Sequence, residues 1–441
     1  MPNWLLMLPK SVQARLHGRA NLLAVLQNSG WLLFDKIVRM GLSLLLAALV
    51  ASYLGPAQFG ELAYILAFVA FFQAVTNLGL DGIVVRDIAQ QQERASIILG
   101  TAFMLRFGTG LICWLLAVGS MAWLNGLHDR SVMLTALAGG SLVFQAADTV
   151  DLWFQSQSQS RRTVLAKLTA FLLSSVVKVV LILSGAPLAA FAAVLVLDGL
   201  TAAVGLAIAY KRFPCAKRWT HALSTARQLL VESWPFTLSG ISIMVYMRID
   251  QIMIKEMLGA RELGVYAAVL PLAALWQGIP MTLNASIAPF MARKKAESEA
   301  AYWQAMQKIF KAYAFLGWLV CIPTALLAQF VVTFLYGSAY QEGAAVLSIY
   351  VFTNLFINMG VAQNLWLLND RRAIVSLVKT LIGAVIAVVC NWLLISRYGL
   401  VGVAVVAVLA QFVSAVLTSL LFNKRVFLLQ IRSLLCPFIK I

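Results

Sequence analysis

The sequence predicts an all-α polytopic membrane protein with about twelve transmembrane helices. Apolar residues make up 61% of the 441 residues, and only 12% are charged. Soluble domains average roughly 45–50% apolar and about 25% charged residues, so this balance excludes a soluble or a disordered chain. The apolar residues also recur in long runs, each bounded by charge clusters, glycine or proline. Such runs favour helices over the short alternating strands of a membrane β-barrel.

Twelve of these runs reach the length of about 20 residues that a helix needs to cross the bilayer. They are residues 30–53, 61–80, 97–124, 131–155, 163–184, 187–210, 230–257, 264–290, 309–336, 344–367, 374–396 and 400–422. Several exceed the minimum, which indicates tilted helices or helices that extend beyond the lipid. Before the first run, a short apolar stretch precedes basic residues, the reverse of the order in a cleaved signal peptide. We therefore expect an interfacial segment at the amino terminus.

The loops between these runs carry very unequal numbers of lysines and arginines. Arg130, Arg261 and Arg397 fall on one side of the membrane, and all other loop cations fall on the opposite side. Because cationic loops stay in the cytoplasm, the sequence predicts a bacterial inner membrane protein with both termini cytoplasmic. The same bias explains the net charge of +17 without nucleic acid as a partner. The five cysteines form no metal-ligand or disulfide pattern, so no cofactor is expected.

An internal repeat divides the chain into two halves. Residues 52–72 and 256–276 both contain the pattern LGxxxxG, at the first predicted external turn of each half. The shared residues are Leu54, Gly55 and Gly60 in the first copy and Leu258, Gly259 and Gly264 in the second. We expect residues 1–210 and 230–441 to form two six-helix bundles related by a pseudo-two-fold axis along the membrane normal. Residues 211–229 would then be a cytoplasmic linker.

Seven segments spread over most of the chain carry a resemblance to a known family. They are NSGWLLFDKIVRM (28–40), ASYLGPAQFGELAY (51–64), NLGLDGIVVRDIA (77–89), DLWFQSQSQSRR (151–162), MRIDQIMIKEMLG (247–259), LYGSAYQEGA (335–344) and RYGLVGVAVV (397–406). Their order and spacing resemble those of Wzx-type polysaccharide (O-antigen) flippases of the multidrug/oligosaccharidyl-lipid/polysaccharide exporter superfamily. The resemblance implies alternating-access export of a polyprenyl-pyrophosphate-linked oligosaccharide. It also implies membrane lipid, a polysaccharide polymerase and chain-length machinery as partners, as in lipopolysaccharide biosynthesis.

Ionisable side chains inside the predicted spans are the candidate functional residues, because each costs about 2.5–3.5 kcal/mol at the bilayer centre. A pyrophosphate crossing the membrane needs cations that offset its desolvation. The candidate cations are Arg39, Arg106, Lys178, Arg248 and Lys379. The carboxylates Asp35, Asp198 and Asp250 could balance these cations or bind a coupling proton or sodium ion. The alternative roles are ion pairing between helices and, for Asp35 and Lys379, snorkelling to the membrane surface.

Four further residues are candidate sugar contacts: Trp153, Asn354, Asn358 and Gln363. Indole rings stack on sugar faces and amides bind hydroxyl groups, although the same side chains also hold helices together.

Other functions fit the sequence less well. No nucleotide-binding or hydrolase motif is present, and the short external loops argue against a membrane polymerase or ligase, so an enzyme is not expected. A multidrug/cation antiporter of the same superfamily should have an acid-rich cavity, whereas the intramembrane charges here include many cations. Relatives of lipid II flippases usually carry helices beyond twelve. These two transporter classes remain the alternatives.

Overall fold

The structure is a computed structural model that describes residues 20–157, 159–213, 218–370 and 372–435. The fold of these residues is helical throughout. The predicted amino-terminal interfacial segment lies outside these residues. The α-helices are α1 (Ala20–Thr76), α2 (Asp81–Gln90), α3 (Ala95–Asn125), α4 (Arg130–Gly139), α5 (Ser141–Phe144), α6 (Thr149–Ser156), α7 (Arg161–Leu183), α8 (Leu188–Lys211), α9 (Leu223–Met257), α10 (Ala260–Ala274), α11 (Gly278–Glu297), α12 (Glu299–Tyr336), α13 (Gly343–Tyr350), α14 (Thr353–Asn369), α15 (Ala373–Phe412), α16 (Ser419–Phe422) and α17 (Lys424–Leu435). Short 3₁₀ turns occupy Gln92–Arg94, Gln145–Asp148, Leu275–Gln277 and Ser338–Tyr340, and a π-helical turn occupies Val413–Leu417.

Ten helices within the described residues are long and apolar enough to cross a membrane. Two of them, Val38–Gln90 and Ile374–Phe422, each contain two of the spans predicted from the sequence. Gly55 (φ 70°, ψ 168°) interrupts the first and Gly399 (φ 56°, ψ −143°) interrupts the second. Glycine reaches positive φ without the steric cost of a Cβ atom, so one residue turns the chain where a loop was expected. The predicted all-α polytopic fold is confirmed, and its twelve spans correspond to ten helices because of these two turns.

The chain forms two compact units. The first contains the described residues up to Ser43 together with Val75–Thr237, and the second contains Leu44–Ala74 and Leu238–Ile441. The first unit has an apolar core around Leu99 and Phe154, and the second has a larger core around Phe310 and Trp366, all fully buried. Each core packs helix against helix, which is the contact that holds membrane bundles together. The boundaries proposed for the two six-helix bundles stay predictions.

The two copies of the LGxxxxG repeat touch each other within the second unit. A Cβ atom on Gly60 would overlap the carbonyl of Ala260, and one on Gly264 would overlap the carbonyl of Pro56. The contact is therefore reciprocal, with each glycine facing the backbone of the other copy. Two helices can approach this closely only where neither presents a side chain, as in other small-residue membrane contacts.

The connection between α8 and α9 is shorter than the predicted linker, because α9 already begins at Leu223. Its described part packs against the first unit. The indole of Trp219 lies 5.4 Å from the ring of Phe103, and the backbone N–H of Thr220 donates to the carbonyl of Ser96 at 3.3 Å. These contacts hold the segment between the two predicted bundles against α3.

Candidate functional site

Three of the charged residues predicted from the sequence come together in the first unit. Phe171, Ser174 and Lys178 lie on one face of α7, because they are separated by three and four residues. The guanidinium of Arg39, on α1, lies 5.2 Å from the centre of the Phe171 ring. Ser174 donates to Asp198 of α8 at 3.1 Å, and Lys178 is attracted electrostatically to the same carboxylate. We call Arg39, Phe171, Ser174, Lys178 and Asp198 the first charge cluster.

This cluster is suited to an anionic ligand. It combines the guanidinium of Arg39 and the ammonium of Lys178 with the carboxylate of Asp198 among apolar helices. The planar guanidinium of Arg39 can stack on an aromatic ring and still offer its N–H groups to a phosphate. The ammonium of Lys178 provides a second, flexible donor. Sequence analysis selected the three charged members, but Phe171 and Ser174 carry no signal that distinguishes them from other residues of an apolar helix.

Arg106 is held by Asp81 within the first unit. Its guanidinium forms an ion pair with Asp81 and donates to the carbonyl of Asn77 at 3.4 Å. The side chain of Arg106 is 3% exposed, whereas that of Asp81 is 67% exposed. This is the interhelical pairing that the sequence left open as an alternative to cavity lining.

A lysine in the same unit bridges two carboxylates. Lys167 lies 2.7 Å from Asp148 and 2.8 Å from Asp151, which approach it from the turn before α6 and from α6 itself. The two acidic residues near the cytoplasmic end of the predicted span therefore share one ammonium, which offsets one of their two negative charges.

A second cluster surrounds Asp250 in the second unit. The hydroxyl of Tyr266 donates to the Asp250 carboxylate at 2.5 Å, and the backbone N–H of Gln251 donates to its other oxygen at 2.8 Å. The ring of Tyr350 packs edge-on against that of Tyr266, with centroids 6.0 Å apart. Arg248, whose side chain is exposed, attracts Asp250 electrostatically. We call Arg248, Asp250, Tyr266 and Tyr350 the second charge cluster.

The two tyrosines of this cluster were not singled out by the sequence. Tyr266 follows Asp250 by sixteen residues, across the turn that contains the repeat, and pairs with it only through the fold. A carboxylate held by neutral hydroxyl and amide donors can accept a proton or a small cation without breaking an ion pair with a nearby base. The geometry of this cluster is therefore compatible with the coupling role expected of Asp250.

Lys379 belongs to a chain of buried polar groups. Its ammonium donates to Gln363 at 3.0 Å, and the amide of Gln363 donates to Ser419 at 2.9 Å. The hydroxyl of Ser414, in the π-helical turn, donates to the Lys379 carbonyl at 2.9 Å. π-helical turns occur frequently at functional positions in helices. Here the turn places Ser414 against the backbone of α15.

The four candidate sugar contacts, Trp153, Asn354, Asn358 and Gln363, are all buried within their units. The amides of Asn354 and Asn358 each donate to a backbone carbonyl, at 2.9 and 3.2 Å respectively. Each side chain therefore contributes to helix packing, whatever its role toward a sugar. The side chain of Asp35 lies outside the part of the structure that is described.

The order and length of the helices define a multi-pass membrane fold. The chain is similar in fold to the lipid II flippase MurJ in an inward closed conformation, with a TM-score of 0.73 and 12% identity over 94% of this chain and 92% of that one. It is also similar to a multidrug resistance MATE family transporter of the MOP superfamily in an inward-facing conformation. That match has a TM-score of 0.65 and 16% identity over 89% of this chain and 95% of the other. At such identities the likeness is one of fold.

The family itself follows from the sequence match. Residues 25–295 match the model of the family described as polysaccharide biosynthesis protein, and the chain belongs to this family. The capsular polysaccharide biosynthesis protein CapF of Staphylococcus aureus is 21% identical over 210 residues, which cover 47% of this chain and 53% of CapF. The alignment thus spans about half the length of that relative. The resemblance to Wzx-type flippases is confirmed, and the fold of the chain is that of the two transporters above.

Proposed function

We propose that the protein moves polyprenyl-pyrophosphate-linked oligosaccharide units from the cytoplasmic to the periplasmic leaflet of a bacterial inner membrane by alternating access. The first charge cluster carries this proposal, because it holds a guanidinium and an ammonium group, and both bind phosphate oxygens well. Membership of a polysaccharide biosynthesis family supports a lipid-linked saccharide as the cargo. Both termini lie in the cytoplasm in this proposal, and a polymerase and chain-length machinery act on the delivered units.

Arg39 and Lys178 are the proposed pyrophosphate ligands in the first unit, and Arg248 is the proposed ligand in the second. Arg39 lies against an aromatic ring and Arg248 is exposed, so both guanidinium groups can offer N–H donors to a ligand. Arg106 and Lys379 rank below them, because both side chains are buried, with Asp81 and Gln363 as their respective partners.

Transport is proposed to be coupled to a proton or a sodium ion through Asp250. Its carboxylate is held by a tyrosine hydroxyl and a backbone N–H, which leaves oxygen lone pairs for a cation. Asp198 has a different proposed role, since it balances Lys178 in the first charge cluster. Asp35 lies one helical turn before Arg39 on α1 and is proposed to balance that cation.

The test is complementation in cells that lack their own polysaccharide flippase. Arg39→Ala and Arg248→Ala should each lower surface polysaccharide by about tenfold or more at equal membrane levels, and Arg39→Lys and Arg248→Lys should restore part of it. Arg261→Ala is the matched control, because Arg261 is an exposed arginine paired with Glu342. Full activity of all four variants would contradict the proposed roles of both arginines.

The same assay distinguishes the alternative cargoes. Export of a cationic dye without restored surface polysaccharide would favour a multidrug antiporter, and rescue of cells depleted of their lipid II flippase would favour that class. Asp250→Asn keeps the hydrogen-bonding shape but removes the charge. It should leave the protein folded and abolish the response of transport to an imposed proton or sodium gradient.

A further inference from the structure

The second unit contains a cavity of about 630 Å³ whose described lining includes no residue of either charge cluster. Four helices form its wall, namely α9, α11, α14 and α15. Its polar lining consists of hydroxyl and amide side chains: Ser239, Ser242, Asn284, Asn364, Ser376 and Thr380. The other described lining residues are four aliphatic side chains. The volume is within the range of about 300–1,000 Å³ that is typical of small-molecule sites.

The lining defines the chemistry of the ligand. None of the ten described lining residues is charged, so the cavity offers no cation to a diphosphate. Hydroxyl and amide groups lie on all four helices, and aliphatic side chains provide most of the exposed lining, so the cavity suits a ligand with both polar groups and apolar faces. Neutral groups that both donate and accept, combined with aliphatic surface, match the hydroxyl groups and C–H faces of uncharged sugars.

Asn284 provides an independent sign of a missing partner. Its side-chain oxygen is buried and accepts no hydrogen bond within the described part of the structure. A buried acceptor without a donor costs about 1–3 kcal/mol, so such atoms are rare unless something binds to them. Because Asn284 lines the cavity, a hydroxyl group of a bound ligand could supply this donor.

The charged residue of α15 that is closest in sequence to the cavity lining already has a hydrogen-bond partner. Lys379 directly precedes the lining residue Thr380, but its ammonium donates to Gln363 at 3.0 Å. Gln363 in turn precedes the lining residue Asn364 on α14. This pair joins the two helices that form one wall of the cavity and leaves the lining itself neutral.

The position of the cavity along the helices agrees with loading from the cytoplasm. Asn364 and Ser376 lie close to the turn between α14 and α15, which contains Arg372. The distribution of cationic loops predicts that this turn is cytoplasmic. A lipid-linked oligosaccharide made in the cytoplasm would thus meet this end of the unit first.

We propose that this cavity binds the uncharged sugar residues of the lipid-linked oligosaccharide before they cross the membrane. The inference rests on the proposed function and adds to it a saccharide subsite distinct from the residues that bind the diphosphate. Asn284 accepts a hydrogen bond from a sugar hydroxyl, and the serine, threonine and asparagine side chains around it bind the others.

The experiment measures protection of a cysteine in the cavity. All five native cysteines are replaced, and Ser376→Cys is introduced as the reporter, with Lys424→Cys on the exposed start of α17 as the control. Inside-out vesicles are prepared from three strains. One accumulates the complete lipid-linked repeat unit, one only the undecaprenyl-pyrophosphate-linked first sugar, and one lacks the initiating transferase. The rate of maleimide labelling is then compared.

The complete repeat unit should slow labelling of Ser376→Cys by about fivefold or more and leave Lys424→Cys unchanged. Adding Asn284→Leu should remove this protection at an equal amount of protein in the membrane. Asn364→Leu, on a different helix, repeats the test if Asn284→Leu does not reach the membrane.

Two outcomes would overturn the inference. Equal protection by the lipid that carries only the first sugar would identify a site for the head group or the tail. No protection by any lipid would identify a water-filled recess. Surface polysaccharide in the complementation strain is measured in parallel, so restored polysaccharide without protection rejects the saccharide subsite and leaves the proposed function intact. Failure to restore polysaccharide rejects the proposed function itself.

Discussion

The buried charges of the two units have different partners. In the first unit the cations meet carboxylates: Arg106 pairs with Asp81, and Lys167 pairs with Asp148 and Asp151. In the second unit the hydrogen-bond partners of two candidate charges are neutral: tyrosine and backbone groups donate to Asp250, and an amide accepts from Lys379. The second unit also has cation–carboxylate pairs: that of Arg261 with Glu342 is exposed, and that of Lys295 with Asp370 is partly buried.

The type of partner decides whether a buried charge can be neutralised without destabilising the protein. Neutralising one member of a buried ion pair destabilises the protein, because the other member stays buried without a counter-charge. A carboxylate held by hydroxyl groups can be neutralised by a proton or a cation without stranding a base. The second unit is thus the better site for the proposed ion coupling, whereas the ion pairs of the first unit stabilise the packing of its helices.

The largest loss of stability is expected at the ion pair of Arg106 and Asp81, whose two side chains differ most in exposure. Asp81→Asn should destabilise the protein by about 3–5 kcal/mol, because it leaves the guanidinium of Arg106 buried without a carboxylate partner. Arg106→Leu should cost clearly less, because the side chain of Asp81 is 67% exposed and stays solvated. Thermal unfolding in detergent, followed by the loss of monodisperse protein, measures both. Equal losses for the two variants would show that burial does not govern this pair.

The neutral partner of Lys379 gives the next effect. Gln363→Leu should cost about 1.5–3 kcal/mol, because it removes the acceptor of a buried ammonium. Lys379→Met removes the charge together with the need for that acceptor, so the double variant should be more stable than Gln363→Leu alone. The same unfolding assay on all four members of the cycle provides the coupling free energy. Strictly additive losses would mean that the two side chains do not interact energetically.

The sequence is a better guide to the membrane segments than to the partners of the charges. Composition and run length are local properties, and they place the helices because a span must be apolar over its whole length. They also place the turns between residues 53 and 61 and between 396 and 400, but they do not show that one glycine, Gly55 or Gly399, is enough to turn the chain there.

The partners of the candidate residues depend on contacts between helices that are distant in the chain. Lys178 and Asp198 lie on consecutive helices, so their association could be anticipated from the hairpin that joins α7 and α8. Tyr266 is an ordinary aromatic residue of an apolar helix until the fold places it against Asp250. Asn284 gives even less local signal, because only the assembled cavity shows that its oxygen lacks a donor.

A smaller effect is expected where one cation has two carboxylates. Asp148→Asn should cost less than about 1 kcal/mol, because Lys167 keeps Asp151 and the Asp148 side chain is 38% exposed. Asp151→Asn should cost more, since that side chain is only 16% exposed. The double variant should lose more than the sum of the two, because Lys167 then has neither carboxylate. Thermal unfolding of the three variants tests this order, and a double variant no worse than Asp148→Asn would contradict it.

The smallest effect is expected at the exposed pair of the second unit. The hydrogen bond from Arg261 lowers the pKa of Glu342 below its ordinary value of 4.5. A carboxyl group whose pKa is lowered by folding stabilises the protein above its unfolded pKa, and this contribution disappears as the pH falls through the folded pKa. Glu342→Gln should therefore lower stability at neutral pH by no more than about 1 kcal/mol, since both side chains are at least half exposed. The gap between the variant and the parent should narrow as the pH falls below 4.5 and should also narrow in high salt. If the difference in stability between the variant and the parent depended on neither pH nor salt, Glu342 would act through packing. The exposed pair would then contribute no electrostatic stabilisation.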